Sequence, residues 1–217
     1  MTKGSFQRII SLLWPIPVSR SEGNFGMLEV RWEGGRKVLN STHGNQSFGS
    51  LHRVWQQAFA RIGLRAVPPS NVLLLGLGAG SVPTILRKEM GCDAQITAVE
   101  IDPKMTHIGR SEFDLGNLAD LIIIDGDATV RIHALPERYS LVVVDLFEDL
   151  DLARGVDTMG FAHALRDRCD GTLLFNTVGY NAESRQRCDR VKENLTRCFH
   201  TVDELVLEDV NRVFIAR

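Results

Sequence analysis

Residues 72–80 read Val-Leu-Leu-Leu-Gly-Leu-Gly-Ala-Gly, and this stretch decides the fold. Four apolar residues followed by glycines predict a buried strand that ends in a tight turn, and residues 81–90 are predicted to form a helix. Glycine permits both the tight turn and the close approach of a ligand to bare backbone, while amides exposed at the helix start favour a polar or anionic ligand group. Gly76, Gly78 and Gly80 are therefore candidate ligand-binding residues, with a tight turn that binds nothing as the alternative.

The chain beyond this turn alternates short apolar runs with helical segments. Continuous apolar strands that alternate with helices indicate a parallel sheet covered on both faces. Two final strands, residues 201–207 and 212–216, are too close in sequence for a crossover helix and predict an antiparallel hairpin. The fold class is therefore α/β: a doubly wound, seven-stranded sheet that is mostly parallel and has a C-terminal antiparallel hairpin. The five strands before that hairpin are predicted at residues 72–75, 96–101, 121–124, 141–146 and 172–175.

The first forty residues have a different pattern. Residues 27–32 alternate apolar and polar side chains, and a Glu-Gly-Gly turn leads to a returning segment, which predicts a β-hairpin. A short amphipathic helix that ends at Pro15 is predicted before the hairpin. We expect a helix-and-hairpin appendage at residues 1–47 and the α/β domain at residues 48–217, which opens with a helix.

Composition argues against several classes of function. The chain has 217 residues, 44% of them apolar, which suits one domain with a buried core. The formal net charge of -2 gives no electrostatic case for binding nucleic acid or an anionic membrane. No apolar run is long enough to span a membrane, so we expect a cytoplasmic protein. The four cysteines form no CxxC pair and have no histidine at ligand spacing, so neither a metal site nor a disulfide framework is expected.

Acidic residues end three of the predicted strands. Glu100 ends the second strand, where a carboxylate can accept hydrogen bonds from ribose hydroxyls. Asp127 ends the third strand and can accept from an adenine amino group or cap the following helix. Asp145 ends the fourth strand, and the apolar run before it aims it at the crevice beyond the sheet; a helix cap is the alternative. Position 81 holds Ser81, where the dinucleotide fingerprint needs glycine or alanine, so an NAD-dependent enzyme is the least favoured alternative.

These motifs, in this order, resemble the spermidine synthase (aminopropyltransferase) branch of the class I S-adenosylmethionine-dependent methyltransferase superfamily. The resemblance covers roughly residues 25–178, and its most specific parts are Val-Glu-Ile-Asp-Pro at residues 99–103 and the Tyr-to-Asp segment at residues 139–145. It implies a Rossmann-like fold and an S-adenosylmethionine or decarboxylated S-adenosylmethionine cofactor. It also implies a cofactor site lined by Gln46, Glu100, Asp127, Ala128 and Asp145.

The resemblance also implies a reaction, an in-line displacement at a carbon bonded to a sulfonium. Asp145 is the candidate catalytic base, because an amine nucleophile must be uncharged and a carboxylate can orient its ammonium and take the proton. His43 and His52 could flank the mouth of the site, although single histidines are more often structural. Spermidine synthases usually dimerise, so a homodimer is one expectation, with the N-terminal hairpin in the contact.

Two departures from that family decide between its reactions. Aminopropyltransferases typically place an aspartate where this chain has Ala79, and a second Asp-Pro pair after the base where this chain has residues 146–150 of a different pattern. Loss of the aspartate removes a repulsion against a cofactor carboxylate, so the leading hypothesis is methyl transfer from S-adenosylmethionine to a small molecule such as an amine. The alternatives are aminopropyl transfer to a diamine and a cofactor-binding module without turnover.

Overall fold

The N-terminal part of the chain is a four-stranded antiparallel sheet in the computed structural model, which describes residues 3–42 and 44–217. The predicted hairpin is present, and one further strand lies on each side of it. The first of these is not predicted from sequence because prolines at its start indicate a break, but it is an edge strand with a register shift between Pro17 and Ser19, where proline is tolerated. The elements are α1 (Lys3–Ile10), β1 (Ile16–Gly23), β2 (Gly26–Glu33), β3 (Arg36–Asn40) and β4 (Asn45–Ser47).

A seven-stranded sheet forms the centre of the molecule. Its strands are β5 (Asn71–Leu75), β6 (Gln95–Glu100), β7 (Leu121–Asp125), β8 (Tyr139–Val144), β11 (Cys169–Val178), β12 (Val202–Leu207) and β13 (Asn211–Ala216). Between β8 and β11 the chain forms a separate short hairpin of β9 (Phe147–Glu148) and β10 (Asp151–Leu152). The spatial order is β7-β6-β5-β8-β11-β13-β12. The first five strands in this order run parallel, and β13 is antiparallel to both of its neighbours. The predicted fold class is confirmed.

Helices cover both faces of this sheet. They are α2 (Ser50–Arg61), α3 (Ser81–Thr84), which continues as a π-helical turn at Ile85–Glu89, α4 (Pro103–Glu112), α5 (Ala128–Ala134), α6 (Met159–Arg168) and α7 (Ala182–Cys198). Asp102 caps α4 by accepting from the Lys104 amide at 2.8 Å, with Pro103 at the first helical position, where proline is favoured. None of the helices in the described part of the chain combines the length and apolar character that a membrane span requires.

The central strands alternate their side chains between two apolar cores. Leu73 and Leu75 pack in the core under α5, α6 and α7, whereas Val72 and Leu74 pack against α2 and α3. A third, smaller cluster joins the N-terminal sheet to α4 and contains Leu28, Val30, Leu39, Ala79, Ile108 and Phe113. The N-terminal sheet therefore packs on the larger sheet's helices, while the division of the chain at residue 47 stays a prediction.

The order of the strands places the candidate residues at one edge of the sheet. From β5 the chain adds β6 and β7 on one side of the sheet, and it then returns to add β8 on the other side of β5. A crevice opens beyond the carboxyl ends of two strands where the order changes in this way. Glu100 pairs in register with Asp125 on β7, and Leu75 pairs with Val144 just before Asp145. The glycine turn, Glu100 and Asp145 thus converge at the crevice.

Candidate functional site

A cavity of about 500 Å³ lies at this edge of the sheet. That volume is within the range of small-molecule sites. Its walls are the glycine turn, the ends of β6, β7 and β8, the segment around β4 and the β9–β10 hairpin. The predicted site residues that line it are Gln46, Gly76, Gly78, Glu100, Asp127, Ala128 and Asp145. Gly80 is the one predicted site residue that does not line it.

The glycines of the turn have conformational roles that side chains would prevent. Gly76 has a φ of +92°, and a Cβ there would collide with the backbone carbonyl of Asp145. Gly80 has a φ of +100° at the N-cap of α3, and a Cβ there would lie 2.6 Å from a methyl carbon of Leu115. Gly80 therefore allows the strand-to-helix turn and lies behind the cavity wall.

The backbone amides of the turn are used inside the protein. Those of Leu77 and Gly78 donate to Oε2 of Glu100 at 3.0 and 2.8 Å, and that of Ala79 donates to Oγ of Ser47 at 3.0 Å. This differs from the expectation that the amides face a ligand. The reason is register, since Glu100 ends the strand beside β5 and its carboxylate reaches the turn directly. A pyrophosphate would need these amides, so the geometry disfavours a dinucleotide.

Glu100 is buried, with 8% of its surface exposed, and faces the cavity. Removal from water raises its pKa, although three backbone amides favour the charged form. The third amide is that of Asp102, which donates to Oε1 at 3.0 Å. A carboxylate offers about four acceptor positions, so one position remains for a ligand hydroxyl.

Asp127 is exposed at the cavity and caps α5. Its Oδ1 accepts from the amide and the hydroxyl of Thr129 at 2.8 and 2.7 Å. Among residues 3–42 and 44–217, nothing donates a hydrogen bond to its Oδ2. Ala128, the first residue of α5, is buried beside it. Asp127 can therefore act as a helix cap with one oxygen and accept from a ligand with the other.

Asp145 follows β8 directly, and both of its carboxylate oxygens are held by buried donors. Nε1 of Trp55 donates to Oδ2 at 2.9 Å, and Nδ2 of Asn176 donates to Oδ1 at 3.0 Å. Asn176 is itself fixed, because its Oδ1 accepts from Nδ2 of Asn211 at 3.0 Å. Removal from water raises the pKa of Asp145 to about 6, even though both donors favour the charged form.

Trp55, Asn176 and Asn211 are the functional candidates that sequence reasoning missed. Trp55 lies on α2 at helical spacing with core residues, and only its ring nitrogen distinguishes it from a packing residue. Asn176 is fully buried and directly follows the apolar run of β11. A polar residue at the carboxyl end of a parallel strand is the signal that could have found it.

Gln46 joins the N-terminal sheet to the segment after Asp145. Its Nε2 donates to Oγ of Ser41 at 3.2 Å and to the backbone carbonyl of Asp149 at 3.1 Å. Its amide group therefore holds the cavity wall as well as facing the cavity. His43 lies outside the described residues. His52 is buried away from this cavity, with its Nε2 2.7 Å from Oε1 of Glu89.

The cavity lining is strongly acidic. Six carboxylates line it among the described residues, against the single guanidinium of Arg154. Such a surface favours a cationic ligand and opposes an anionic one. The carboxylates are Glu100, Asp102, Asp127, Asp145, Glu148 and Asp149.

No protein-family model matches the chain. It is 27% identical over 109 residues to a probable polyamine aminopropyl transferase of Bifidobacterium longum, a match that covers 49% of this chain and 24% of that protein. It is 34% identical over 122 residues to an N-terminal histidine N-methyltransferase of Emericella nidulans, which covers 53% of this chain and 21% of that protein. The chain thus spans about a quarter or less of each of these relatives.

Solved structures agree over more of the chain. A probable spermidine synthase from Corynebacterium glutamicum has a TM-score of 0.76 over 92% of this chain and 79% of its own, at 16% identity. The predicted fold and resemblance are confirmed. Human methyltransferase-like protein 13, in complex with SAH (S-adenosylhomocysteine), has a TM-score of 0.64 over 78% of this chain and 82% of its own, at 19% identity. The chain therefore has the fold of spermidine synthases and class I methyltransferases, and its relatives are transferases of both kinds.

Proposed function

We propose that this chain binds S-adenosylmethionine and catalyses methyl transfer to a small-molecule amine. The observation that carries the proposal is Asp145: a carboxylate at the cavity, with both oxygens held and its pKa raised to about 6. A carboxylate of this pKa is ionised at neutral pH and can still accept a proton. The SAH-bound structural relative and the acidic lining support the choice of a sulfonium cofactor.

The residues present fit an adenosyl group. Glu100 has an acceptor position left for a ribose hydroxyl, and Oδ2 of Asp127 can accept from the adenine amino group. The occupied amides of the glycine turn fit a nucleoside that carries no phosphate. When bound, the cofactor supplies a methyl group activated by the neighbouring sulfonium.

Asp145 would prepare the acceptor. An amine arrives as an ammonium ion, which the acidic lining attracts. The carboxylate of Asp145 can hydrogen-bond that ammonium, take its proton and leave a neutral nitrogen with a free electron pair. Trp55 and Asn176 would keep the carboxylate in one orientation, because each binds a different oxygen.

Aminopropyl transfer from decarboxylated S-adenosylmethionine to a diamine is the second candidate. The acidic lining favours it too, since both the cofactor and the diamine would carry ammonium groups. The residue at position 79 disfavours this reaction. Ala79 is fully buried in the apolar cluster with Leu28 and Phe113, so position 79 offers no carboxylate to the ammonium group of a decarboxylated cofactor.

Calorimetry with S-adenosylhomocysteine and methylthioadenosine tests the proposal, because these are the by-products of methyl and aminopropyl transfer. We expect tighter binding of S-adenosylhomocysteine; a clear preference for methylthioadenosine would reverse the order of the two candidates. Asp145→Asn should lose transfer across a panel of amines. Because its NH₂ group would face one of two buried donors, calorimetry with S-adenosylhomocysteine and thermal unfolding serve as the checks that the variant is folded and binds the nucleoside. A wild-type protein that binds the nucleoside but methylates no amine or hydroxyl compound would instead be a binding module.

A further inference from the structure

The β9–β10 hairpin fixes the backbone of Arg154 beside the cavity. Leu152 on β10 pairs with Phe147 on β9, and the amide of Ala153 donates to the carbonyl of Leu146 at 3.0 Å. The amide of Arg154 then donates to Oε1 of Glu148 at 3.0 Å. This residue is therefore anchored by its main chain, while its side chain extends from the anchored position.

The guanidinium of Arg154 has no internal role in the described structure. It is exposed and lines the cavity, and within residues 3–42 and 44–217 no hydrogen bond or ion pair involves its side chain. Nearby arginines differ, since Arg187 and Arg190 both bind the carboxylate of Asp157. An arginine fork presents two parallel donors that match a carboxylate.

The proposed cofactor brings one anionic group into this acidic cavity, the carboxylate of its amino-acid part. The amides at Leu77, Gly78 and Ala79 cannot bind it, because Glu100 and Ser47 occupy them. Arg154 is the single cationic side chain among the described lining residues. A carboxylate beside six others is repelled by them, and a cation in the cavity would offset that repulsion.

We infer that Arg154 binds the carboxylate of the cofactor's amino-acid part and thereby selects S-adenosylmethionine over its decarboxylated form. The inference rests on the proposed function and adds to it the residue that sets cofactor specificity. It also explains how an acidic cavity accepts a ligand with a negative group. Arg154 positions a part of the cofactor remote from the reacting carbon, so its loss should act on affinity first.

The test compares two nucleosides that differ by one carboxylate. S-adenosylhomocysteine carries it, and S-adenosyl-3-thiopropylamine lacks only that group. We expect Arg154→Gln to weaken S-adenosylhomocysteine about tenfold by calorimetry, the loss of one exposed charge-assisted pair, and to leave the carboxylate-free nucleoside unchanged or slightly tighter. Arg154→Lys should recover part of the affinity. Arg61→Gln, at an exposed arginine of α2 outside the cavity lining, should match wild type with both nucleosides.

Three results would overturn the inference. They are an equal loss for both nucleosides, no loss for either, and a wild-type preference for the carboxylate-free nucleoside. If the wild-type protein binds neither nucleoside, the proposed function fails together with the inference. If it binds both and Arg154→Gln changes neither, only the inference fails. Thermal unfolding of the variants should match wild type, because the Arg154 side chain contributes no described internal contact.

Discussion

Replacing Trp55 with phenylalanine should raise the pKa of Asp145. Trp55 is fully buried, and its Nε1 donates to the carboxylate at 2.9 Å. Phenylalanine keeps an aromatic ring against Phe59, whose ring centroid lies 5.8 Å from that of Trp55, but it has no N–H. The ionised carboxylate then keeps Asn176 as its one side-chain donor. Loss of the Trp55 N–H therefore raises the free energy of the ionised form more than that of the protonated form.

The size of the effect follows from that one contact. A hydrogen bond to a charged group contributes about 1.5–3 kcal/mol, and about 1.4 kcal/mol corresponds to one pH unit in pKa. The pKa of Asp145 should therefore rise by about one to two pH units from its wild-type value of about 6. Because the folded-state pKa of Asp145 lies above the ordinary 3.8, the protonated group contributes to the free energy of unfolding. That contribution is complete below the ordinary pKa and is lost as pH rises through the folded-state pKa. If transfer activity needs the ionised form, the acidic side of its pH profile should move to a correspondingly higher pH.

Carbon-13 NMR titration of protein labelled at the aspartate carboxyl carbons measures this pKa without knowledge of the substrate. Asp145→Asn assigns the resonance. Phe59→Leu serves as the matched control, because it disturbs the same layer of the core and leaves the indole N–H in place. A Trp55→Phe titration that overlays wild type, or one that moves to lower pH, would refute the proposed hydrogen-bond control of Asp145.

Two further changes test the glycine turn and its carboxylate. Gly76→Ala should destabilise the fold by about 3 kcal/mol or more in urea denaturation, because its Cβ collides with backbone at a positive φ. The control Gly34→Ala, at a φ of +55° with open space around it, should cost about 1–2 kcal/mol. Equal losses for the two variants would contradict the close approach of the Asp145 backbone to Gly76. Glu100→Gln places an NH₂ group where an oxygen accepts hydrogen bonds from backbone amides. Affinity for S-adenosylhomocysteine should therefore fall about tenfold or more by calorimetry. A dissociation constant within about twofold of the wild-type value would show that Glu100 does not bind the nucleoside.

The periodic part of the fold could be predicted because local pattern and tertiary structure agree there. The apolar runs that become β5, β6, β8 and β11 are largely buried on both faces, and a parallel sheet is the arrangement that requires this. The run that becomes β7 lies at the edge of the sheet and is less buried, with Ile122 47% exposed. The N-terminal sheet was predicted only in part. Its β2–β3 hairpin has a local turn signal, but β1 starts beside two prolines and exists because β2 offers it an edge to pair with.

The site could be predicted as a set of positions and not as a set of contacts. Strand ends supply Glu100, Asp127 and Asp145, and a parallel sheet brings strand ends together. The partners of Asp145 come from distant segments: Trp55 is 90 residues away in sequence and Asn176 is 31 away. Single-sequence periodicity carries no information on such pairs, so the use of a ring nitrogen and a strand-end amide appears only in three dimensions.

The glycine turn shows why residues 1–47 matter to the chemistry proposed for the rest of the chain. Its amides are held from two directions, by Glu100 of the central sheet and by Ser47 at the end of β4. The next residue continues this contact, because the amide of Phe48 donates to Oγ of Ser81 at 2.8 Å. Gln46 then ties the same strand to the segment after Asp145. A boundary at residue 47 therefore passes through the cavity wall, and the N-terminal sheet holds the turn in the shape that leaves Glu100 an acceptor position for a ligand.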